Sequence, residues 1–382
     1  MSSHIQKNHT HNNKNDQTDK LVRQVQTAYQ NRQALAIQGN GSKLFLIHHL
    51  PGQRLSTASH QGIVNYLPSE LTITVRSGTL LSDLKKVLAE NGQMLAFEPP
   101  EFSANATIGG TIAAGLSGSS RPFTGSARDF VLGCKIINGR GELLQFGGEV
   151  IKNVAGYDLS RLMTGSYGSL GIILEVSLKL LPLPAREQSI SFSLQLNQFA
   201  HQVQRLLIAG YPITAACYSR EEAYIRLAGS NKGVEFSYRE MSQTLAQQKF
   251  QPQEVNNSFW SELNEQQLSF FNQTQPLWRL SLPRKTENFE RYISAEDKQL
   301  IDWGGALRWF YSNQPADKIR SYTQSLGGHA QLFRGNNMDS EELKSIPKQE
   351  PLTAALMKIH QQIKRAMDPH FILNHGCLYP EL

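Results

Sequence analysis

The apolar positions of this chain change their period several times, and each change marks an element. Leu21, Val22, Val25, Ala28 and Tyr29 recur at helical spacing, which predicts a helix from about Asp19, as its cap, to Arg32. Ala34 to Ile37 reads as a short strand running into the glycine-bearing turn Gln38-Gly39-Asn40-Gly41-Ser42-Lys43. Leu71 to Val75 alternates and is β-rich. Leu80, Leu81, Leu84, Val87 and Leu88 then return to helical spacing, and Met94 to Phe97 closes that unit as a strand. Glu98-Pro99-Pro100-Glu101 interrupts regular structure before a short helix beginning in Ile108 to Gly115. Strands over Phe130 to Ile137 and Glu142 to Phe146 flank Asn138-Gly139-Arg140-Gly141, the letters of a hairpin. Asp158 is placed as the cap of a helix to Met163, and Ile172 to Leu180 as an alternating strand stopped by Leu181-Pro182-Leu183-Pro184.

That stop is the expected domain boundary. From Gln188 to about Glu350 strands alternate with helices and glycines thin out. Strands are expected over Ser189 to Leu196, Ile213 to Tyr218, Ala223 to Leu227, Leu277 to Leu282, Ala306 to Tyr311 and Gly328 to Phe333, with helices over Gln198 to Ala209 and Val234 to Lys249. A helix from Met357 to Met367 and the segment Phe371 to Gly376 close the chain. The fold class is α+β: a tail over 1–18, a first domain over 19–184, a second over 185–350, and a carboxy-terminal piece over 351–382 that returns to the first.

Composition narrows the function. The chain has 382 residues, 40% of them hydrophobic, enough for two cores. Its net charge of +6 comes from scattered residues with no basic block, which argues against nucleic acid and fits a solvated surface or a positive rim for an anionic ligand. Cys134, Cys217 and Cys377 form no CxxC pattern, which argues against an iron–sulfur cluster or structural zinc in this chain. The first 20 residues carry His4, His9 and His11 but no apolar core of a signal peptide, and nothing is long and apolar enough to span a membrane.

The chemistry gathers in two glycine blocks, Ile108-Gly109-Gly110-Thr111 to Gly118 and Gly165-Ser166-Tyr167-Gly168-Ser169-Leu170-Gly171-Ile172. Glycine lets backbone amides approach an anion where a Cβ would stand in the way, so the array suits a phosphorylated cofactor. A dinucleotide-binding GxGxxG does not fit, because Leu44 occupies the third glycine's position and no helix clearly follows. Widely separated loops better suit a cofactor lying extended between two subdomains.

Gln38 to Lys43, Ala106 to Ala113, and Gly156-Tyr157-Asp158-Leu159-Ser160-Arg161-Leu162 with Gly165 to Ile172 resemble the FAD-binding domain of the vanillyl-alcohol oxidase/p-cresol methylhydroxylase flavoproteins. The run Gly125 to Asp129, through Lys152 to Tyr157, to Lys179-Leu180-Leu181-Pro182 is most similar to one branch, the E subunits of bacterial glycolate oxidase (glycolate dehydrogenase). Where that branch usually has Asn-Pro-Gly-Arg, this chain has Asn374-His375-Gly376-Cys377. The resemblance implies a PCMH-type FAD domain followed by an α+β cap. It implies that Gly39, Asn40, Gly41 and Ser42, with amides of Thr107, Ile108, Gly109 and Gly110, hold the FAD pyrophosphate. Ser117, Gly118, Gly168, Gly171 and Ile172 would line the ribityl and isoalloxazine region. Neither Gly39–Lys43 nor Gly109–Ser120 carries a His or Cys, so the FAD is expected to be noncovalent.

Oxidising a 2-hydroxy acid needs a base, a cation for the carboxylate and a hydride acceptor. Related catalytic subunits carry a histidine-rich motif that this chain lacks; His329 is the candidate base, and Arg308 and Arg334 the candidate carboxylate clamps. The reading is a FAD-carrying subunit oxidising glycolate, and D-lactate, beside a catalytic flavoprotein and an iron–sulfur subunit that takes the electrons. It would be cytoplasmic, attached to the inner membrane at most through the complex. The alternatives are a self-sufficient FAD alcohol or hydroxy-acid oxidoreductase and a structural subunit that has kept the fold.

Overall fold

The structure, a computed structural model, describes residues 15–47, 50–148, 158–286, 289–292, 294, 296–335 and 346–382. The tail with His4, His9 and His11, and the run Lys152 to Tyr157, lie outside those residues.

The first helix, Thr18–Asn31, buries Leu21, Val25 and Ala28 on one stripe. Asp19 sits in its first turn and does not cap it. The N-cap is Gln17, without a side-chain bond, and Asp16 before it accepts from the Thr18 amide at 2.9 Å. The strand Leu35–Gln38 pairs in parallel with Gln53–Ser56, and on its other side Leu35 bridges to Leu373. The carboxy-terminal segment thus lies against the start of the chain, and Leu35, Leu55, Ile372 and Leu373 share one core with the first helix.

An antiparallel sheet follows in the order Ile63–Leu67, Thr72–Arg76, Ile172–Lys179, Val131–Ile137, Leu143–Gly147. Its central strand does not alternate between core and solvent as expected. Both its faces are covered: Ile172 and Leu174 join the core of the first helix, while Ile173, Val176 and Leu178 pack beneath the helices Leu81–Glu90 and Ile108–Ala114. The polar residues of this strand are satisfied inside the sheet, Ser177 Oγ against Thr74 Oγ1 at 2.8 Å and Glu175 against Lys135 at 3.5 Å. Met94 to Phe97 provides only the two-residue strand Gln93–Met94.

The other large sheet is antiparallel in the order Gln253–Val255, Arg186–Ser193, Glu222–Gly229, Ile213–Ser219, Lys298–Asp302, Leu307–Tyr311, Leu277–Ser281, His329–Arg334. The helices Leu196–Ile208, Asn231–Gln247 and Ala316–Ser325 cover one face. The opposite face carries Ala215, Cys217, Leu277, Trp309 and Phe333 and packs against Leu46, Ala114, Leu116 and Tyr167. Period-two alternation therefore decides which polar residues of this sheet face the glycine loops. In Leu277–Ser281 the inward set is Leu277, Arg279 and Ser281, and in His329–Arg334 it includes His329 and Gln331, paired with Ser281 and Arg279. Among the described residues no helix is long and apolar enough to cross a membrane.

Candidate functional site

A groove lies between the turn after the first strand and the helix Ile108–Ala114. Gln38 to Leu44, Ile47, Thr107, Gly110, Ala113, Ala114 and Tyr167 line it. Two features make its wall a cradle for an anion. Gly41 has φ +81°, the left-handed region that turns successive amides toward one side, and among the described residues the amides of Gly39 to Lys43 have no protein acceptor. Gly39 faces Thr107 so closely that an added Cβ would collide with its hydroxyl.

Lys43 completes the wall. Its ammonium is within 3.3 Å of Ser42 Oγ and of the Glu101 carbonyl, and the side chain is buried. Burial pushes its pKa down to about 8, against the pull of Glu265 and Glu101. A buried, half-satisfied cation beside free amides is what a pyrophosphate requires, so the residues present fit the phosphate portion of FAD.

The helix behind the groove contributes less than its glycines imply. The Ile108 amide donates to Thr79 O at 2.9 Å and the Gly109 amide to Ser77 O at 2.8 Å, so both are engaged in tying the helix to the sheet. Thr107 accepts from the Gly110 amide as N-cap. Gly109 is needed for contact with Ser77, whose Cβ would lie 2.5 Å from an added Cβ.

The second glycine block meets the groove through one residue. Tyr167, at φ +52°, donates its amide to Ala113 O at 3.0 Å, which brings its ring to the groove's end. Its carbonyl accepts from Asn374 Nδ2 at 2.7 Å. The same Asn374 side chain accepts from the Ile37 amide at 2.6 Å and donates to Ile37 O at 3.1 Å. One carboxamide from the end of the chain thus fixes both the strand feeding the phosphate turn and the loop that presents Tyr167. Gly168 makes room for it, since an added Cβ would lie 2.9 Å from Asn374 Nδ2.

The structure brings Gly39, Asn40, Gly41, Ser42, Thr107 and Gly110 together in the groove. Gly171 and Ile172 lie in the core, Gly171 against Ile136 and Ile137. Ser117 and Gly118 lie under the large sheet: Ser117 Oγ accepts from the Ala127 amide at 2.9 Å, and Gly118 O from Trp303 Nε1 at 2.9 Å. Arg308 points to the opposite, helix-covered face, where it reaches Gln299 at 2.9 Å and lies over Phe289. Arg334 is bound to Gln266 at 2.9 Å and stacked over Phe45 and Phe102. Neither reaches the groove's end.

His329 does face the inner side, and with it comes a cluster the sequence reading missed. The Tyr167 hydroxyl meets Gln331 and Gln349, and burial pushes its pKa up to about 12 despite the nearby Arg279. Arg279 and Arg121 both lie over the Trp303 ring, at 4.9 Å and 4.3 Å from its centroid. Burial first, then each other's charge, lowers the pKa of Arg279 to about 10. His329 is held below its ordinary value by burial and by both arginines. Beside them Asp302 accepts from the Trp303 amide at 2.7 Å and from Ser119 Oγ at 2.8 Å, and burial pushes its pKa up to about 7. Strand alternation could have flagged Arg279; Lys43 and Asn374 stand in motifs noted above but with no role attached to them, and no local pattern singles out Arg121.

Comparison with known proteins agrees with this geometry. Residues 15–147 match the family described as FAD binding domain. The glycolate oxidase subunit GlcE of Escherichia coli is 42% identical over 367 residues, covering 96% of this chain and 99% of that protein. The glycolate oxidase subunit GlcD of Bacillus subtilis is 37% identical over 31% of this chain and 25% of its own length. Among solved structures, alkyldihydroxyacetonephosphate synthase superposes over 93% of this chain and 75% of its own with TM-score 0.65 at 16% identity, a likeness of fold alone. With the FAD binding domain matched over residues 15–147 and near full-length similarity to GlcE, the chain belongs to the FAD-binding E-subunit family of bacterial glycolate oxidase.

Proposed function

We propose that this chain is the FAD-carrying E subunit of an assembly that oxidises glycolate, and D-lactate, to the 2-oxo acid and passes the electrons to an iron–sulfur partner. The observation that carries the reading is the groove wall of Gly39 to Lys43, with its free amides and buried Lys43, set beside Thr107 and Gly110. Residues 19–184 with 351–382 form the cofactor-binding unit in this reading, and 185–350 the cap that closes over it.

The bound flavin would supply the hydride acceptor. The chain's own residues do the rest. The amides of Gly39 to Ser42 and the Lys43 ammonium bind the pyrophosphate, Gly110 leaves the backbone accessible, and Tyr167 closes the end of the groove against the large sheet. Neither Gly39–Lys43 nor Gly109–Ser120 carries a His or Cys, which supports a noncovalent cofactor. Cys134, Cys217 and Cys377 are buried and unpaired and offer no cluster site, so in this reading the electrons pass to an outside acceptor, an iron–sulfur subunit beside a catalytic flavoprotein. Attachment to the inner membrane would be peripheral, through that assembly.

Anaerobic addition of glycolate or D-lactate to the assembled complex, followed by the flavin's visible absorbance, tests the reading. Bleaching by both acids, and loss of electron transfer to the iron–sulfur subunit when this chain is omitted, is expected. Full transfer without this chain would refute it. Strong turnover by this chain alone with an artificial acceptor would favour a self-sufficient oxidoreductase.

A further inference from the structure

At the Tyr167 end of the groove two cations lie together, and among the described residues no carboxylate bonds to either. Arg279 projects inward from the strand Leu277–Ser281, and Arg121 comes from the turn Arg121–Thr124 of the other sheet's domain. Their guanidinium carbons sit within 5 Å of one indole, that of Trp303, at 4.3 Å and 4.9 Å from its centroid. Among the described residues neither guanidinium has a hydrogen-bond acceptor or an ion-pair partner within bonding distance. Asp302 lies near Arg279, but its two oxygens are taken by the Trp303 amide and the Ser119 hydroxyl. Asp129 acts on Arg121 only at longer range, while its Oδ2 bonds Ser126.

Holding like charges side by side, half-buried and without a bonded counterion, costs free energy that a bound anion would offset. The neighbours define its shape. Tyr167 hydroxyl, Gln331 and Gln349 offer neutral hydrogen-bonding groups next to the cations, and His329, exposed on one side, stands at the mouth. Glu350 acts on His329 and not on the arginines.

We infer that Arg121 and Arg279, held on Trp303, form a carboxylate clamp that takes a small 2-hydroxy or 2-oxo acid, with Tyr167, Gln331 and Gln349 meeting its uncharged oxygen. This rests on the flavoprotein reading above, because Tyr167 is the residue shared by the clamp and the cofactor groove. It moves the carboxylate role from Arg308 and Arg334 to residues beside Tyr167, at the groove's end. A planar guanidinium fork matches a carboxylate's two oxygens, and two forks leave little room for a third charged group.

Oxalate, which cannot be oxidised by hydride removal, is the probe. Calorimetric titration of the FAD-loaded chain with oxalate is expected to show saturable binding. Arg279→Gln and Arg121→Gln are each expected to weaken it by about ten- to a hundredfold, as loss of a charged hydrogen-bond partner does, while flavin content stays the same. Oxalate should also raise the melting temperature of the wild-type chain and leave that of Arg279→Gln unmoved. Should Arg279→Gln not fold, Arg121→Gln, on a partly exposed turn, decides alone. Flavin-loaded wild type that ignores oxalate, a variant that binds it as tightly as wild type, or equal binding of inorganic phosphate would overturn the inference and leave the flavoprotein reading intact. Wild type unable to hold FAD would instead overturn that reading.

Discussion

Lys43 shows how much a single side chain in the groove is expected to matter. Burial lowers its pKa to about 8, so the free protein carries the charge at neutral pH and loses it as pH rises through 8. A bound pyrophosphate favours the ammonium form and raises that pKa. Affinity for FAD should therefore be full below about pH 8 and fall above it. Lys43→Met is expected to weaken FAD binding by about tenfold or more and to flatten this pH dependence, read by flavin fluorescence titration at several pH values. Equal pH profiles for both proteins would show that the ammonium does not meet the phosphates. The glycines around Lys43 were legible in the sequence because each carries a backbone requirement that few other residues meet. Lys43 and Asn374 were not, because a buried lysine and a bridging carboxamide differ from exposed ones only in what folding brings around them.

Elements carry the same contrast. The helix Ile108–Ala114 was readable from its glycines, yet its Thr107 cap and the use of its first amides were not. The carbonyls of Ser77 and Thr79 that take them come from a turn some thirty residues earlier. The strand Ile172–Lys179 was read as alternating, and only the pairing of Ser177 with Thr74 shows how its polar letters survive inside the sheet. The closing helix Ala354–Met367 has a role its amphipathic pattern does not announce. Its buried Lys364 donates to Ser169 O at 2.7 Å, Leu373 O at 2.7 Å and Asp368 at 2.8 Å. Asp368 in turn accepts from the amides of Ile372 and Leu373. The helix thus holds the loop that presents Tyr167 and the segment that places Asn374. Lys364→Met leaves Asp368 buried without its cation, and is expected to destabilise the protein by about 3–5 kcal/mol. Denaturant unfolding checks this. A loss below about 1 kcal/mol would mean that the pair is not a significant tie.

At the scale of the whole molecule, the two sheets are joined by polar contacts around residues 96–121 as well as by apolar packing. Glu265 accepts from the amides of Glu101 and Phe102 at 2.9 Å and 2.7 Å, Arg226 pairs with Glu98, and Ser119 and Gly118 meet Asp302 and Trp303. Trp260, Trp278, Trp303 and Trp309 are the chain's four tryptophans, and none lies in the five-stranded sheet or its helices. Tryptophan fluorescence therefore reports on the large sheet, and flavin release on the groove. The two thermal transitions should coincide, because opening either side strips Glu265, Arg226 and Asp302 of the partners they have across the interface. A tryptophan transition well separated from flavin release would show two independent units. The general order of strands and helices was visible in the sequence. The apposition of Arg121 with Arg279 was not, since they are far apart in the chain and meet only when one sheet closes over the other.

The most direct test of the account is the flavin content of the purified chain, wild type against Gly39→Val. The account predicts that the wild-type chain carries equimolar FAD, released intact when the protein is precipitated with acid. Gly39→Val, whose side chain would strike Thr107, should keep the tryptophan spectrum and lose most of the flavin. A Gly39→Val chain as rich in FAD as wild type, or a wild-type chain that takes up none, would contradict the assignment of this groove.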